Sequence, residues 1–125
     1  MPANIPRLAG PAAAIALALF GAAPAADADE IDLGSLAQCI AESGALFYGA
    51  HWCPYCRKQK EYFGEHARAL PYVECFDGPK SGGMNSRCTD EGIEGFPTWV
   101  FADGKRESGA LSPRALAAAT GCSAD

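Results

Sequence analysis

Cys53 and Cys56 are separated only by Pro54 and Tyr55, and Pro54 is a residue that favours the first position of a helix. A cysteine at a helix start stands beside unpaired backbone N–H groups and the positive end of the helix dipole, which together stabilise its thiolate. Such a placement makes Cys53 a nucleophile near neutral pH and a good leaving group. Cys56, one turn further in on the apolar face, is expected to be shielded. The chemistry this pair supports is thiol-disulfide exchange, in which Cys53 attacks and Cys56 resolves. A purely structural crosslink fits it less well, because so small a ring restricts an unfolded chain little.

The other four cysteines suit crosslinking better. Cys75 and Cys88 bracket a glycine-rich loop, 77–85, with little core of its own, and a disulfide between them would staple it. Cys39, near the end of the first expected helix, and Cys122, after the last, are expected at the pole opposite Cys53, where pairing is open to them. Six cysteines allow many connectivities, and spacing alone does not choose among them. Structural zinc is the weaker alternative, since a zinc ribbon wants two close pairs and Cys75 and Cys88 stand thirteen residues apart. No metal or other cofactor is expected.

The elements that must position these residues follow from the pattern around them. Leu36, Ala37 and Ile40 fall on one face of a short helix over 35–43 that stops at Gly44, and 45–49 is a compact apolar run suited to a buried strand. From Pro54 to about residue 70, Cys56, Phe63, Ala67 and Leu70 recur at helical spacing, with Arg57, Lys58, Lys60, Glu61 and Glu65 on the other faces. The three basic residues are read as a solvated helix face, and His51, next to the pair, as either a stabiliser of the Cys53 thiolate or a bystander. Residues 71–76 form a second strand, parallel to the first across a helical crossover. After a short helical segment near 86–91, two extended runs flank Asp103-Gly104, which signals a hairpin with a type I′ turn. Ser112 and Pro113 cap a last helix. Helix, strand, helix, strand, helix, strand, strand, helix gives an α/β sandwich, a mixed central sheet with helices on both faces.

At 125 residues the chain has room for one domain. Residues 1–26 carry a single charged side chain, Arg7, and an apolar run over 11–23 ends at Ala23-Pro24-Ala25, small residues that suit signal cleavage after Ala25. The expected organisation is a signal segment over 1–25, an acidic linker over 26–33 and a domain over 34–122. An uncleaved anchor is the alternative. Without the signal segment, 9 basic residues face 15 acidic ones, which argues against nucleic acid as a partner. Export to a periplasm or an equivalent compartment would make disulfides the ordinary state of structural cysteines.

Trp52-Cys53-Pro54-Tyr55-Cys56 after a buried strand, Gly95-Phe96-Pro97-Thr98 before a hairpin, and Gly109-Ala110-Leu111-Ser112 opening the last helix resemble the thioredoxin family over about residues 34–121. More closely, residues 47–56, 71–75 and 95–100 are similar to the thioredoxin-like domain associated with bacterial vitamin K epoxide reductase homologues, a subfamily in which a second cysteine pair, here Cys75 and Cys88, recurs. The resemblance implies a dithiol carrier that takes disulfides from a quinone-linked membrane oxidase and passes them to secreted proteins. This chain has no membrane helices of its own for that step, so the oxidase would act in trans. The resemblance also implies a cis bond before Pro97, opposite the cysteine pair, and client binding by strand addition along the backbone of Phe96; Trp52 is read as either a substrate platform or a cover for the disulfide.

Two features depart from reducing thioredoxins and glutaredoxins. Phe47 stands where reducing thioredoxins carry a buried aspartate, so a proton acceptor for Cys56 is missing there, with Glu42, Glu74 or water as substitutes. Cys-Pro-Tyr-Cys is also the glutaredoxin signature, yet the glutathione-binding segments of that family are not matched. Three functions compete: a disulfide donor, a reductant dedicated to one exported client, and a binding module presenting Trp52 and Phe96. The first is preferred, with cysteine-containing exported proteins as clients and a monomer as the working form.

Overall fold

The computed structural model describes residues 30–125; the expected signal segment and residues 26–29 of the expected linker lie outside them. The first helix, α1 (Leu33–Glu42), begins earlier than the apolar spacing indicates because Asp32 caps it, its carboxylate accepting the Ser35 N–H and hydroxyl at 3.0 Å each. These two bonds hold the Asp32 carboxyl below its ordinary range. Leu36, Ala37 and Ile40 are buried, and Gly44 ends the turn with a positive φ of 88°.

Strand β1 (Leu46–Gly49) lies inside the sheet, parallel to β2 (Tyr72–Glu74) on one side and antiparallel to β3 (Thr98–Val100) on the other. The fourth strand, β4 (Arg106–Ser108), completes the order β2-β1-β3-β4. Buried residues of α1 and of the later helices share one core with this mixed sheet, the α/β arrangement expected of a thioredoxin-like sandwich.

The second helix departs from expectation. It runs as α2 (Pro54–Glu61) and then gives way to a 3-10 segment, Gly64–Ala69, instead of continuing to residue 70. Gly64 adopts φ 53°, a left-handed conformation that interrupts the helix. Phe63 and Leu70 stay buried on either side of the break, so the apolar pattern is kept while its helical carrier changes. The hairpin also differs. Only Gly104 has positive φ, whereas a type I′ turn needs it at both central residues. The Gly104 N–H instead bonds Phe101 O at 2.8 Å and the Phe101 N–H bonds Lys105 O at 2.9 Å, a three-residue loop with glycine in the left-handed position. A short helix, α3 (Ser86–Thr89), follows the glycine-rich loop, and α4 (Pro113–Thr120) is capped by Ser112 as expected.

The core is an aromatic stack. The Trp99 ring lies 5.0 Å from Phe47 and 6.2 Å from Phe101, nearly parallel to both. Its indole N–H donates to the side chain of Gln59, which is fully buried on α2, at 2.9 Å. The same Gln59 oxygen accepts the Leu111 N–H at 2.8 Å, and the Gln59 amide donates to Leu111 O at 2.9 Å. Two disulfides close the fold: Cys39–Cys122 joins the end of α1 to the residue following the last turn of α4, and Cys75–Cys88 spans the glycine-rich loop.

Gln59→Leu leaves an indole N–H and both backbone groups of Leu111 unpaired in the interior, so it is expected to lower stability by about 3 kcal/mol. Urea unfolding of the two proteins side by side measures the difference; a change under about 0.5 kcal/mol, the range of ordinary surface substitutions, contradicts it.

Candidate active site

Strand β1 delivers the chain to a turn at 50–52, and α2 starts at Pro54 with Cys53 as its N-cap. The Cys53 Sγ therefore accepts the Cys56 N–H at 3.4 Å. Its other neighbour is the carbonyl of Phe96, 3.5 Å away, which the thiol faces as a donor. The Phe96–Pro97 peptide bond is cis, Pro97 is fully buried, and Pro97 O is fixed in turn by the Gly109 N–H at 2.9 Å.

Both cysteines of the pair are buried, Cys53 to 4% and Cys56 to 2% exposure, so accessibility alone does not divide their roles. Their settings differ instead. Cys53 sits at the helix end, where backbone N–H groups are available to a thiolate. Cys56 lies inside, and burial pushes its thiol up to about 12 from an ordinary 9.0. The reason is packing around Gly49: a Cβ there would lie 2.5 Å from Cε2 of Tyr72 and 3.1 Å from Cys56 Sγ, so the thiol and the ring edge close on the same bare α-carbon.

An aromatic cluster stands over the pair. Trp52 meets Phe76 at 5.2 Å and Phe96 at 5.8 Å, and Phe76 meets Phe96 at 5.6 Å, all edge to face. The Lys80 ammonium sits 4.2 Å above the Trp52 ring. Trp52, Cys53, Cys56, Phe96 and Pro97 are thus brought together. The Cys75–Cys88 disulfide borders the cluster because Phe76 follows Cys75 directly, whereas Cys39–Cys122 belongs to α1 and the chain end. His51 turns its Nε2 to Gly78 O at 2.8 Å, tying the active-site turn to the glycine-rich loop. Glu74 also supports that turn, its Oε2 accepting the N–H groups of His51 and Phe76 at 3.2 Å each.

Sequence reasoning passed over Phe76, Lys80 and Gln59 as parts of the site. Phe76 and Lys80 belong to or border a loop whose conformation glycines leave open, and Gln59 carries no signal distinguishing it from the polar residues around it. Among the described residues no group of three or more His, Cys, Asp or Glu side chains is placed to hold a metal.

Because the folded Cys56 thiol holds its proton to about 12 while an unfolded one releases it near 9.0, the group contributes stability that is complete below pH 9.0 and lost as pH rises toward 12. In a Cys53→Ser variant, iodoacetamide is expected to label Cys56 slowly at pH 8 when folded and rapidly in urea. Equal labelling rates in the two states contradict the buried setting.

No protein-family model matches the chain. It is similar to thiol-disulfide oxidoreductase LTO1 of Arabidopsis thaliana, with 49% identity over 94 residues, or 73% of this chain and 25% of the relative. The chain therefore spans about a quarter of the length of the curated relative it matches. A Cys-x-x-Cys pair at a helix start and a cis-proline against its first sulfur, set on a mixed α/β sheet, make the arrangement thioredoxin-like.

Proposed function

We propose that this chain is an exported disulfide donor of the kind associated with vitamin K epoxide reductase homologues. Oxidised Cys53–Cys56 gives its disulfide to cysteine-containing exported proteins and is restored by a quinone-linked membrane partner acting in trans. The observation that carries the reading is the burial of Cys56 beside Tyr72 and the bare α-carbon of Gly49. In the donor direction a client thiolate attacks Cys53 Sγ, the Cys53–Cys56 bond breaks, and Cys56 leaves and is trapped by protonation. A second client thiolate then attacks the client sulfur of the mixed disulfide, and Cys53 leaves as a thiolate into the N–H groups at the α2 start. In the reductant direction Cys53 attacks the client disulfide and expels one client thiolate, and Cys56 must then lose its proton before it attacks Cys53 and releases the other; β1 offers Phe47 in place of a carboxylate to take that proton.

Other features support the same reading. Two disulfides away from the pair suit an oxidising compartment, and the small-residue boundary at Ala25 suits export. Among the described residues no helix is long and apolar enough to cross a membrane. Phe96 and Pro97 would receive an extended client segment, with Trp52 as an apolar platform. A monomer without cofactor suffices for every step.

Acid-quenched alkylation of cells, with mass mapping of Cys53 and Cys56 and a glutathione titration of the purified protein, tests the direction of flow. A donor is expected to show an oxidised pair and a potential nearer to about −120 mV than to the roughly −270 mV of thioredoxin. Free thiols in cells and a potential near the lower value make the chain a dedicated reductant of an exported client instead.

A further inference from the structure

Cys56 passes through its thiolate in either direction of exchange, as leaving group when the pair donates a disulfide and as attacker when it closes one. The surroundings of its sulfur therefore govern a step common to both. From α2 it is faced by Cys53 and Lys60 and from the active-site turn by the backbone of Ala50; Tyr72 of β2 closes beside it over Gly49 of β1, with Glu74 bonded to the Tyr72 hydroxyl, and the cis-proline loop brings no charge. His51 engages this group through its backbone N–H, bonded to Glu74.

Lys60 is the one cation in this set, and it is half-buried, unlike Arg57 and Lys58 on the same helix. Its ammonium lies 3.9 Å from the centroid of the Tyr72 ring, whose edge closes on Gly49 beside Cys56 Sγ. The ring cannot swing away freely, because the Tyr72 hydroxyl donates to Glu74 Oε1 at 3.0 Å and the other Glu74 oxygen is held by two backbone N–H groups. Tyr72 also stacks edge-on against Phe47 at 5.0 Å. A fixed cation thus stands one aromatic ring away from the buried sulfur.

We propose that Lys60, seated on the Tyr72 ring that Glu74 anchors, is a positioning residue that favours ionisation of Cys56 and so sets the speed of the step in which that sulfur attacks or leaves. Burial raises the Cys56 thiol most, and the backbone of Ala50 and, to a lesser extent, the charge of Lys60 act in the lowering direction. The helix face read from the sequence as solvated therefore contains one residue directed at the chemistry. The inference rests on Cys53 and Cys56 being the exchanging pair, and is independent of which way electrons flow.

Dithionitrobenzoate separates the two sulfurs. With the full chain, its pair reduced and its two other disulfides intact, Cys53 attacks the reagent and releases a first thionitrobenzoate. Cys56 then loses its proton to the buffer and attacks Cys53, the Cys53–Cys56 bond forms, and a second thionitrobenzoate leaves. Lys60→Met and Lys60→Gln are expected to slow the second release about fivefold at neutral pH and to move its pH profile to higher pH, the effect of losing one nearby cation. The first release keeps its rate, and Lys60→Arg keeps both. An unchanged second release with an unchanged pH profile overturns the proposal, as does equal slowing of both releases, which marks a structural role. Absence of any second release from the unaltered protein overturns the exchange reading itself.

Discussion

The buried carboxamide of Gln59 fixes how the cysteine helix stands relative to the rest of the molecule. Burying an amide is costly unless its donors and acceptors are met, and here they are met by groups from two other parts of the chain, the indole of Trp99 and the backbone of Leu111. Trp99 lies two residues beyond the cis-proline, and Leu111 precedes the cap of α4. One side chain on α2, a turn after Cys56, thereby sets the spacing between the cysteines and the loop that faces them. The Cys53 Sγ to Phe96 O approach depends on that spacing, because hydrogen bonds lose strength steeply outside a narrow range of distance and angle.

Around this node the fold uses two kinds of reinforcement. The sheet is small and its strands are short, so the aromatic stack of Phe47, Trp99 and Phe101 carries much of the apolar burial. The disulfides supply the rest where packing is thin. Cys39–Cys122 closes a stretch of 83 residues and constrains the unfolded chain over most of the domain, whereas Cys75–Cys88 closes only 13 and acts on one loop. The short one matters for its position: it fixes Phe76, and Phe76 supports both Trp52 and Phe96.

The sequence disclosed the parts of this structure that rest on local chemistry. Ser112 and Pro113 announce the start of α4, Pro54 that of α2, and the apolar run before Cys53 reads as a buried strand. The fold class follows from the order of those elements, and the cysteine pair from its spacing. What stayed hidden depends on backbone conformation and on pairings that the residue pattern does not name. Asp32 looks like linker until its carboxylate meets Ser35, Gly64 looks like one more helical position until its φ is seen, and Asp103-Gly104 suggests a two-residue turn that the Phe101–Lys105 pairing replaces. Lys60 illustrates the limit best, since nothing distinguishes it from Arg57 and Lys58 until Tyr72, on another element, is placed beneath it.

Cys75 and Cys88 are both entirely without solvent exposure. Exchange needs a thiolate to approach a sulfur along the line of the bond it breaks, and a closed core admits no such approach. The bond between them is therefore out of reach of Cys53, of other copies of the chain and of small thiols while the fold is intact. It must be made before the interior seals, by some other agent or from an earlier, open form of the chain. A molecule proposed to exchange disulfides is in this respect first a recipient of one, and its own maturation stands upstream of whatever maturation it performs.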